Sequence, residues 1–463
     1  MGLQVMDVLV ISHDVVGKRM AGPGIRYYHL ARVLGREFET VLAVPSEIPP
    51  DISSEGFRFI SYTRRDWDSI ATWVAAADTV IFPSDIASDF PLLAQSDAFL
   101  VVDGYDPLLA EWLTLSQGEP LENWERYWWN RMCSLNEQYL MGDFFICASE
   151  RQRDWWLGLL EANGRINPHT FKEDPSLRSL IDVVPYGLPD VVPQSREPVI
   201  KGVWSGIEPE DKVILWGGGL WPWLDPLTAI RAVAEVWRQR QDVRLIFPGT
   251  KHPNPWMEKI PTHTEAARTL AQELGLLNKA VFFGDWIPYE DWSEVLLESD
   301  LALALHYDTL ETRLAFRSRV LEYIWAGLPT VATQGDATSD LIDDHELGIV
   351  VDYEDTQGVT EAILRLLDTP RQSFAQRFAK ARGTLTWEQA AKPLLRFCRK
   401  PRRAPDKIRS GEVGNPFYLK PQQQLRIERD YWRDLVKQYE QGRFIRLMHW
   451  LHQIGQRIRG NEG

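Results

Sequence analysis

Residues 311–333 read ETRLAFRSRVLEYIWAGLPTVAT, and this pattern predicts a loop, a short helix and a buried strand in that order. Apolar residues recur at helical spacing and give the helix one apolar face, made by Val320, Leu321, Ile324 and Trp325. Gly327 is predicted to end the helix in a left-handed turn, and Pro329 prevents the helix from continuing. Thr330 to Thr333 then forms the predicted strand.

Three arginines crowd the start of this predicted helix, namely Arg313, Arg317 and Arg319. The free backbone amides and the dipole of a helix start favour an anion, so added arginines predict a phosphate site there. Glu322 lies about one turn further along, away from the apolar face, where its carboxylate could reach sugar hydroxyls. The alternative for Glu322 is an exposed carboxylate that pairs with Arg319, three residues earlier.

The length and charge of the chain restrict its class. A chain of 463 residues is too long for one core and predicts two domains plus an extension. Its net charge of −14 argues against nonspecific nucleic-acid binding, and its three cysteines are too far apart for a zinc motif. The N-terminus looks like a strand and not a signal peptide, and no apolar run approaches the roughly 20 residues that span a bilayer. A cytoplasmic protein, at most peripheral to a membrane, is expected.

The first half of the chain predicts a doubly wound α/β domain. Its opening is a strand ending at Ile11, a Gly-rich loop, a helix, and a strand from Thr40 to Val44. Gly22 and Gly24 in that loop fit a ligand-binding loop and a plain tight turn equally well. Asp103 follows another strand and could contact an acceptor hydroxyl together with Asp106, although an Asx-type turn also explains these residues. The Trp- and Tyr-rich helix over residues 122–140 is expected to use most of its rings for packing.

A Gly-, Pro- and charge-rich linker between Tyr186 and Lys212 separates a second α/β pattern. We therefore predict a first domain over residues 1–195, a second over 205–385, and a crossover helix with a helical C-terminal extension over 386–463. In the extension, residues 443–459 form a basic amphipathic pattern. That pattern suits an anionic membrane surface or a partner, and equally a helix packed on its own domain.

The 311–333 stretch resembles the donor-site helix of family 4-type glycosyltransferases with the GT-B architecture. Their pattern has an acid, a Phe, a second acid on the helix and a small-Gly-x-Pro entry to the next strand; it is matched here by Phe316, Glu322, Ala326, Gly327 and Pro329. The first acid of the family's pair falls on Leu314, and Glu311 is an acid nearby but out of register. The resemblance implies two Rossmann-like domains that face a cleft.

The resemblance also implies which residues bind a nucleotide-diphosphate sugar. The loop at Gly218 and Gly219 resembles the family's phosphate-side loop, but without its usual Arg and Lys, so Arg317, Arg319 or Lys251 must supply the positive charge. Trp286 and Ile287 would flank the nucleobase, although Trp286 also suits a core position. The diphosphate would lie near Ser318 and Arg319, with Glu322 on the ribose, and the loop at Gly22 and Gly24 would face the cleft.

The implied activity is transfer of a hexosyl group, with retention of anomeric configuration, to a glycan or lipid-linked acceptor. Arg317, Arg319, Glu322 and Asp103 are the expected catalytic residues, and neither a metal nor a protein nucleophile is required. Assembly of a surface polysaccharide or glycolipid on the cytosolic face of a membrane is the expected setting. Two alternatives stay open: a nucleotide-sugar epimerase on the same fold, and a non-catalytic GT-B-like binding subunit that has lost nucleotide binding.

Overall fold

The computed structural model of the protein describes residues 6–48, 52–54, 56–250, 260 and 262–407, without the side chains of residues 133 and 134. The predicted ligand residue Lys251 and the predicted basic helix over 443–459 therefore lie outside the described residues.

The first domain is built on a seven-stranded sheet in which all neighbouring strands are parallel. Its strands, in the order β3-β2-β1-β4-β5-β6-β7 across the sheet, are β1 (Met6–Ile11), β2 (Thr40–Val44), β3 (Phe57–Ser61), β4 (Ala77–Pro83), β5 (Phe99–Asp103), β6 (Phe144–Cys147) and β7 (Ile181–Val183). Its helices are α1 (Gly22–Leu34), α2 (Ala71–Ala76), α3 (Ile86–Asp89), α4 (Leu108–Leu115), α5 (Leu121–Met141), α6 (Glu150–Ala162) and α7 (Pro168–Glu173).

The second domain is built on a six-stranded parallel sheet. Its strands, in the order β10-β9-β8-β11-β12-β13, are β8 (Lys212–Trp216), β9 (Val243–Phe247), β10 (Val281–Phe283), β11 (Leu301–Ala304), β12 (Thr330–Thr333) and β13 (Gly348–Val351). The helices that follow β8 are α8 (Pro226–Gln239), α9 (Thr264–Glu273), α10 (Tyr289–Glu298), α11 (Leu310–Leu314), α12 (Ser318–Ala326), α13 (Ala337–Asp344), α14 (Thr356–Asp368), α15 (Ala375–Thr384), α16 (Trp387–Ala390) and α17 (Lys392–Arg399).

Both sheets have the order of doubly wound folds, in which the first strand lies near the middle and the chain winds outward on both sides. The predicted α/β class with two such sheets is confirmed. The strand β3 was not predicted, because its short run is interrupted by the exposed Arg58 at the edge of the sheet. Since the carboxyl ends of parallel strands share one edge, the loops after β1, β4 and β5 meet on one side of the first domain.

The chain returns to the first domain after α15. Backbone hydrogen bonds join Leu188 to Leu385 and Trp387, so the outgoing and returning segments run side by side. On α17, the ring of Phe397 stacks on Phe144 of the first sheet at 4.9 Å between centroids. The crossover segment thus ties the two domains together at the linker.

One expectation about packing was wrong. The rings of α5 are not mainly buried: Trp129 is 62% exposed, and Tyr127 and Trp128 are also exposed. The helix itself was predicted correctly. Its aromatic residues lie on several faces, however, and the sequence does not show which face packs against the sheet.

Candidate functional site

The start of α12 faces the first domain across a narrow interdomain cleft. The helix begins at Ser318 and ends at Gly327 with φ of +66°, as the glycine–proline pattern predicts. Its buried residues include Val320, Leu321 and Ile324, and this apolar packing fixes the direction of the helix axis. The N-terminal backbone amides of α12 are therefore held at the edge where the strands end.

Arg317 and Arg319 are two residues apart but have different surroundings. Arg317 is buried and makes two hydrogen bonds of 2.7 Å to the carboxylate of Glu311 and one of 3.3 Å to Asp336. Asp336 also caps α13 through the backbone amides of Thr338 and Ser339. Arg317 therefore joins α11, α12 and α13, and two carboxylates neutralise its charge. Glu311, whose role the sequence left open, is its main partner.

The guanidinium of Arg319 has no hydrogen bond or ion pair within the described part of the chain, although it is half-buried. Burial lowers the pKa of Arg319, and the nearby charge of Arg317 lowers it further. A cation withdrawn from water without a carboxylate partner is a ready binding group for an anion. Of Arg317 and Arg319, Arg319 is the one whose donors remain open.

The glycine loop after β8 lies directly over Arg319. Gly218 has φ of +85°, and a Cβ placed there would be 3.3 Å from Nη2 of Arg319. The amide of Gly217 donates a 2.8 Å hydrogen bond to the hydroxyl of Tyr323 on α12, and a Cβ at Gly219 would be 3.0 Å from Trp221. These glycines let the backbone approach the start of α12 closely. The loop and the helix start thus meet in one corner of the cleft, beside the guanidinium of Arg319.

Glu322 lies one turn further along α12 and lines a cavity with about 660 Å³ of empty space, part of it open to solvent. Nε1 of Trp292 donates to its Oε2 at 2.8 Å, and the hydroxyl of Tyr186 donates to its Oε1 at 3.4 Å. Burial raises the pKa of Glu322 to about 7, although these two hydrogen bonds oppose the rise. Glu322 makes no ion pair with Arg319 within the described residues. The alternative prediction, an exposed carboxylate paired with Arg319, is therefore wrong.

The first domain brings the start of α1 to the same corner. A Cβ at Gly22 would lie 3.0 Å from Oγ of Ser318, so the starts of α1 and α12 are in direct contact range. Gly24 serves the loop itself, since a Cβ there would lie 2.3 Å from the carbonyl oxygen of Val15. The hydroxyl of Tyr105 donates to the carbonyl oxygen of Phe316 at 2.8 Å and holds the two domains together beside α12.

The assignment of Asp103 as a residue that contacts the acceptor needs correction. Asp103 is buried, and its two oxygens accept hydrogen bonds of 2.7 and 3.0 Å from Arg26. It also accepts from the amide of Tyr105, two residues on, which is the Asx-type turn weighed as the alternative. A carboxylate whose lone pairs serve a buried arginine supports the loop and is not open to the cleft.

A histidine that the sequence analysis missed lies at this edge of the first domain. His13 follows β1, and its Nδ1 lies 2.9 Å from Asp85 while its Nε2 lies 3.9 Å from Asp106. Burial lowers the pKa of His13, but Asp85 and Asp106 more than offset this and raise it to about 9. Burial raises the pKa of Asp106 to about 6, against the effect of His13. The signal was available, because His13 follows a strand at its carboxyl end just as Asp103 does.

The predicted base-side residues lie at the far end of the second sheet. Trp286 packs over Gly249, where a Cβ would lie 3.0 Å from its ring, and Ile287 is partly buried against the core. Gly249 has φ of +89°, and its amide donates to the carbonyl oxygen of Asp285 at 3.0 Å, so the β9 and β10 loops approach closely there. Arg151 of α6 spans to the second domain, donating to the carbonyl oxygen of Gly335 at 2.7 Å and pairing with Asp340.

The described residues contain no group of three or more His, Cys, Asp or Glu side chains arranged to hold a metal ion. None of the helices they form combines the length and apolar character needed to cross a membrane.

Comparison with known proteins supports the predicted class. Residues 211–369 match the family model described as Glycosyl transferases group 1, which covers most of the second domain. No curated protein sequence matches the chain significantly.

Solved structures resemble the whole two-domain arrangement. The glycosyltransferase WaaG, involved in lipopolysaccharide biosynthesis, has a TM-score of 0.54 at 17% identity, covering 84% of this chain and 98% of WaaG. Sucrose-phosphate synthase from Thermosynechococcus elongatus has a TM-score of 0.58 at 15% identity, covering 85% of this chain and 98% of the synthase. Anabaena HepE in complex with UDP-glucose has a TM-score of 0.58 at 14% identity, covering 84% of this chain and 100% of HepE.

The structural likenesses confirm the predicted fold, and the family match confirms the predicted enzyme class. The second domain therefore matches the family model of glycosyl transferases group 1, and the chain is a glycosyltransferase with the GT-B fold.

Proposed function

We propose that the protein transfers a hexosyl group from a nucleotide-diphosphate sugar to a hydroxyl of a glycan or lipid-linked acceptor, with retention of anomeric configuration. The observation that carries the proposal is the open guanidinium of Arg319, which lies between the start of α12 and Gly218. A diphosphate in this corner meets backbone amides, a helix dipole and one unpaired cation.

In this proposal each residue of the corner has a separate task. Arg319 and the amides near Ser318 bind the diphosphate and stabilise the charge that develops when its bond to the sugar breaks. The acceptor oxygen forms the new bond to the anomeric carbon, and its proton passes to the departing diphosphate. Arg317, paired with Glu311 and Asp336, positions this corner and does not bind the leaving group itself.

Glu322 accepts hydrogen bonds from the ribose hydroxyls in this proposal. Its carboxylate already accepts from Trp292 and Tyr186, and a carboxylate has about four lone-pair sites in all. Trp286 and Ile287 remain the proposed neighbours of the base. HepE was solved with UDP-glucose and with UDP, which supports a uridine nucleotide as the first donor class to test.

The open cation favours this function over a degenerate binding subunit, because a scaffold without a ligand would be expected to pair or lose a half-buried arginine. We propose a cytoplasmic protein that acts in surface polysaccharide or glycolipid biosynthesis, with peripheral membrane contact through residues 443–459. WaaG, which acts in lipopolysaccharide biosynthesis, supports this setting.

A thermal-shift panel of UDP, GDP, ADP, TDP and CDP with their common sugars tests the function. A ligand that binds only the folded protein raises its melting temperature by mass action, and one nucleotide is expected to stand out. The selected donor is then incubated alone, and slow release of its nucleotide is followed together with the anomeric configuration of the product. A protein that binds none of these nucleotides is not a nucleotide-sugar transferase.

A further inference from the structure

A narrow groove runs between α4, α5 and α6 of the first domain and is open to solvent. Its walls are mostly apolar, with Leu109, Leu135, Trp155 and Leu159 among the lining residues. Burying a hydrocarbon chain against such apolar walls is favourable because it removes apolar surface from water. A glycan would instead need hydrogen-bond partners along its whole length.

One end of the groove opens at the cleft. Asp106 and Leu314 line this end, and Asp106 lies 3.9 Å from His13. Tyr105, the residue before Asp106, donates to the carbonyl oxygen of Phe316, next to the start of α12. The polar end of the groove is therefore beside the proposed diphosphate corner, and its one carboxylate can accept a hydrogen bond from a hydroxyl.

A buried polar group within the groove also points to a ligand. Gln138 is completely buried and lines the groove; its amide lies near the hydroxyl of Tyr139, but neither the amide nitrogen nor the amide oxygen makes a well-aligned hydrogen bond. Buried amides in folded proteins are nearly always well paired, so a poorly paired one inside a groove needs an explanation. By contrast, the amide of Gln152 is fully used, because it donates to the carbonyl oxygens of Tyr105 and Leu314.

The other end of the groove reaches the protein surface. Trp155 lines the groove and is 38% exposed, and α5 carries the further exposed rings of Trp128 and Trp129. Tryptophan suits a boundary where one side is apolar and the other is wet.

We propose that this groove binds the apolar chain of an amphipathic acceptor whose hydroxyl-bearing head group lies at Asp106. The inference rests on the proposed function, since it assigns the acceptor class for the same cleft. A hydrocarbon chain lies along Leu135 and Leu159 and leaves past Trp155, while a polar atom near its head meets Gln138. The order of polar end, apolar walls and aromatic exit matches an amphiphile from head to tail.

Titration calorimetry with n-decyl β-maltoside below its micelle concentration tests the groove, with maltose as the head group alone. The wild type is expected to bind the alkyl glycoside and not maltose at the same concentration. Ala110→Phe fills the groove and Trp155→Ala removes one wall, and each is expected to weaken binding at least tenfold. Trp129→Ala, on the exposed face of α5, is the matched control and is expected to stay within twofold. If the Ala110→Phe variant does not fold, Trp155→Ala still tests the groove.

Three outcomes overturn the proposal. Equal binding of maltose and the alkyl glycoside indicates a glycan site. Unchanged binding in both groove variants, or an equal loss in Trp129→Ala, indicates adsorption to the surface. The nucleotide panel on the same samples separates the two claims: binding of the alkyl glycoside by a protein that binds no nucleotide leaves an amphiphile site that is not an acceptor site.

Discussion

At the scale of single residues, the difference between Arg317 and Arg319 decides the site. The sequence shows both cations at a helix start, but it does not show that Glu311 and Asp336 fold onto the first and leave the second open. Asp336 is 19 positions away and reaches Arg317 only because β12 returns the chain to the same edge. The arginines were therefore predictable as a group, and their separate roles were not.

Glu322→Gln is expected to change the pH dependence of both the unfolding free energy and the nucleotide affinity, but in opposite directions. The folded pKa of about 7 lies above the ordinary value of 4.5, so the folded protein holds a proton more tightly than the unfolded chain does. The contribution of Glu322 to the free energy of unfolding therefore falls as pH rises from 4.5 to 7. Because the Gln variant has no such group to ionise, it is expected to be more stable than the wild type at pH 8, by at most about 3 kcal/mol.

Nucleotide affinity is expected to change in the opposite sense. The carboxylate accepts hydrogen bonds from ribose better than the carboxylic acid does, so wild-type affinity falls as pH drops from 8 to 6. The Gln variant binds more weakly, and titration calorimetry at pH 6, 7 and 8 is expected to give it only the pH dependence of the nucleotide itself. If affinity changed with pH in the same way in both proteins, Glu322 would not bind the ribose.

At the scale of elements, the strands were the most predictable part, and their loops were not. Buried parallel strands are short apolar runs bounded by turn residues, so β2 and β12 were predicted with their observed limits. The two glycines of the β1 loop look alike in the sequence but differ in the fold: Gly22 faces Ser318 of the other domain, whereas Gly24 faces Val15 of its own loop. Such contacts depend on the tertiary positions of backbone segments, which the local sequence pattern does not predict.

Gly24→Ala is expected to destabilise the first domain by about 1–3 kcal/mol, because its Cβ would lie 2.3 Å from the carbonyl oxygen of Val15 and the loop must shift. Gly158→Ala on α6 is the matched control. A Cβ at Gly158 meets no atom within 4 Å, so that variant is expected to gain about 0.5–1 kcal/mol from helix propensity. Urea denaturation of both variants measures the difference, and equal stabilities would contradict the close approach.

At the scale of the whole molecule, side chains of the first domain cross the cleft and hold the two domains together. Tyr105, Gln152 and Arg151 of the first domain all reach carbonyl oxygens of the second. The resemblance to a known family predicted the two domains and the cleft, since these follow from an architecture shared along the chain. The partners that cross the cleft were beyond sequence reasoning, because they join residues more than 150 positions apart.

Tyr105→Phe is expected to loosen this closure without unfolding either domain. It removes the O–H group that donates to Phe316 and keeps the ring, so the loss is about 1 kcal/mol of interdomain contact. We expect a larger radius of gyration in small-angle X-ray scattering and a donor KM raised about two- to fivefold. Tyr28→Phe, which loses a similar bond to Ser53 inside the first domain, is expected to change neither. The same result for both variants would mean that Tyr105 does not hold the cleft.

The role of Arg319 in binding the diphosphate is best tested by comparing the affinity for a nucleoside diphosphate with the affinity for its nucleoside. Titration calorimetry of Arg319→Ala is expected to show a loss of about 10- to 100-fold for the diphosphate, as for a lost charge-assisted hydrogen bond, and no change for the nucleoside. Arg313→Ala, an exposed arginine near the same helix start, is expected to bind both as wild type does. An Arg319→Ala variant that binds the diphosphate with wild-type affinity would contradict the account.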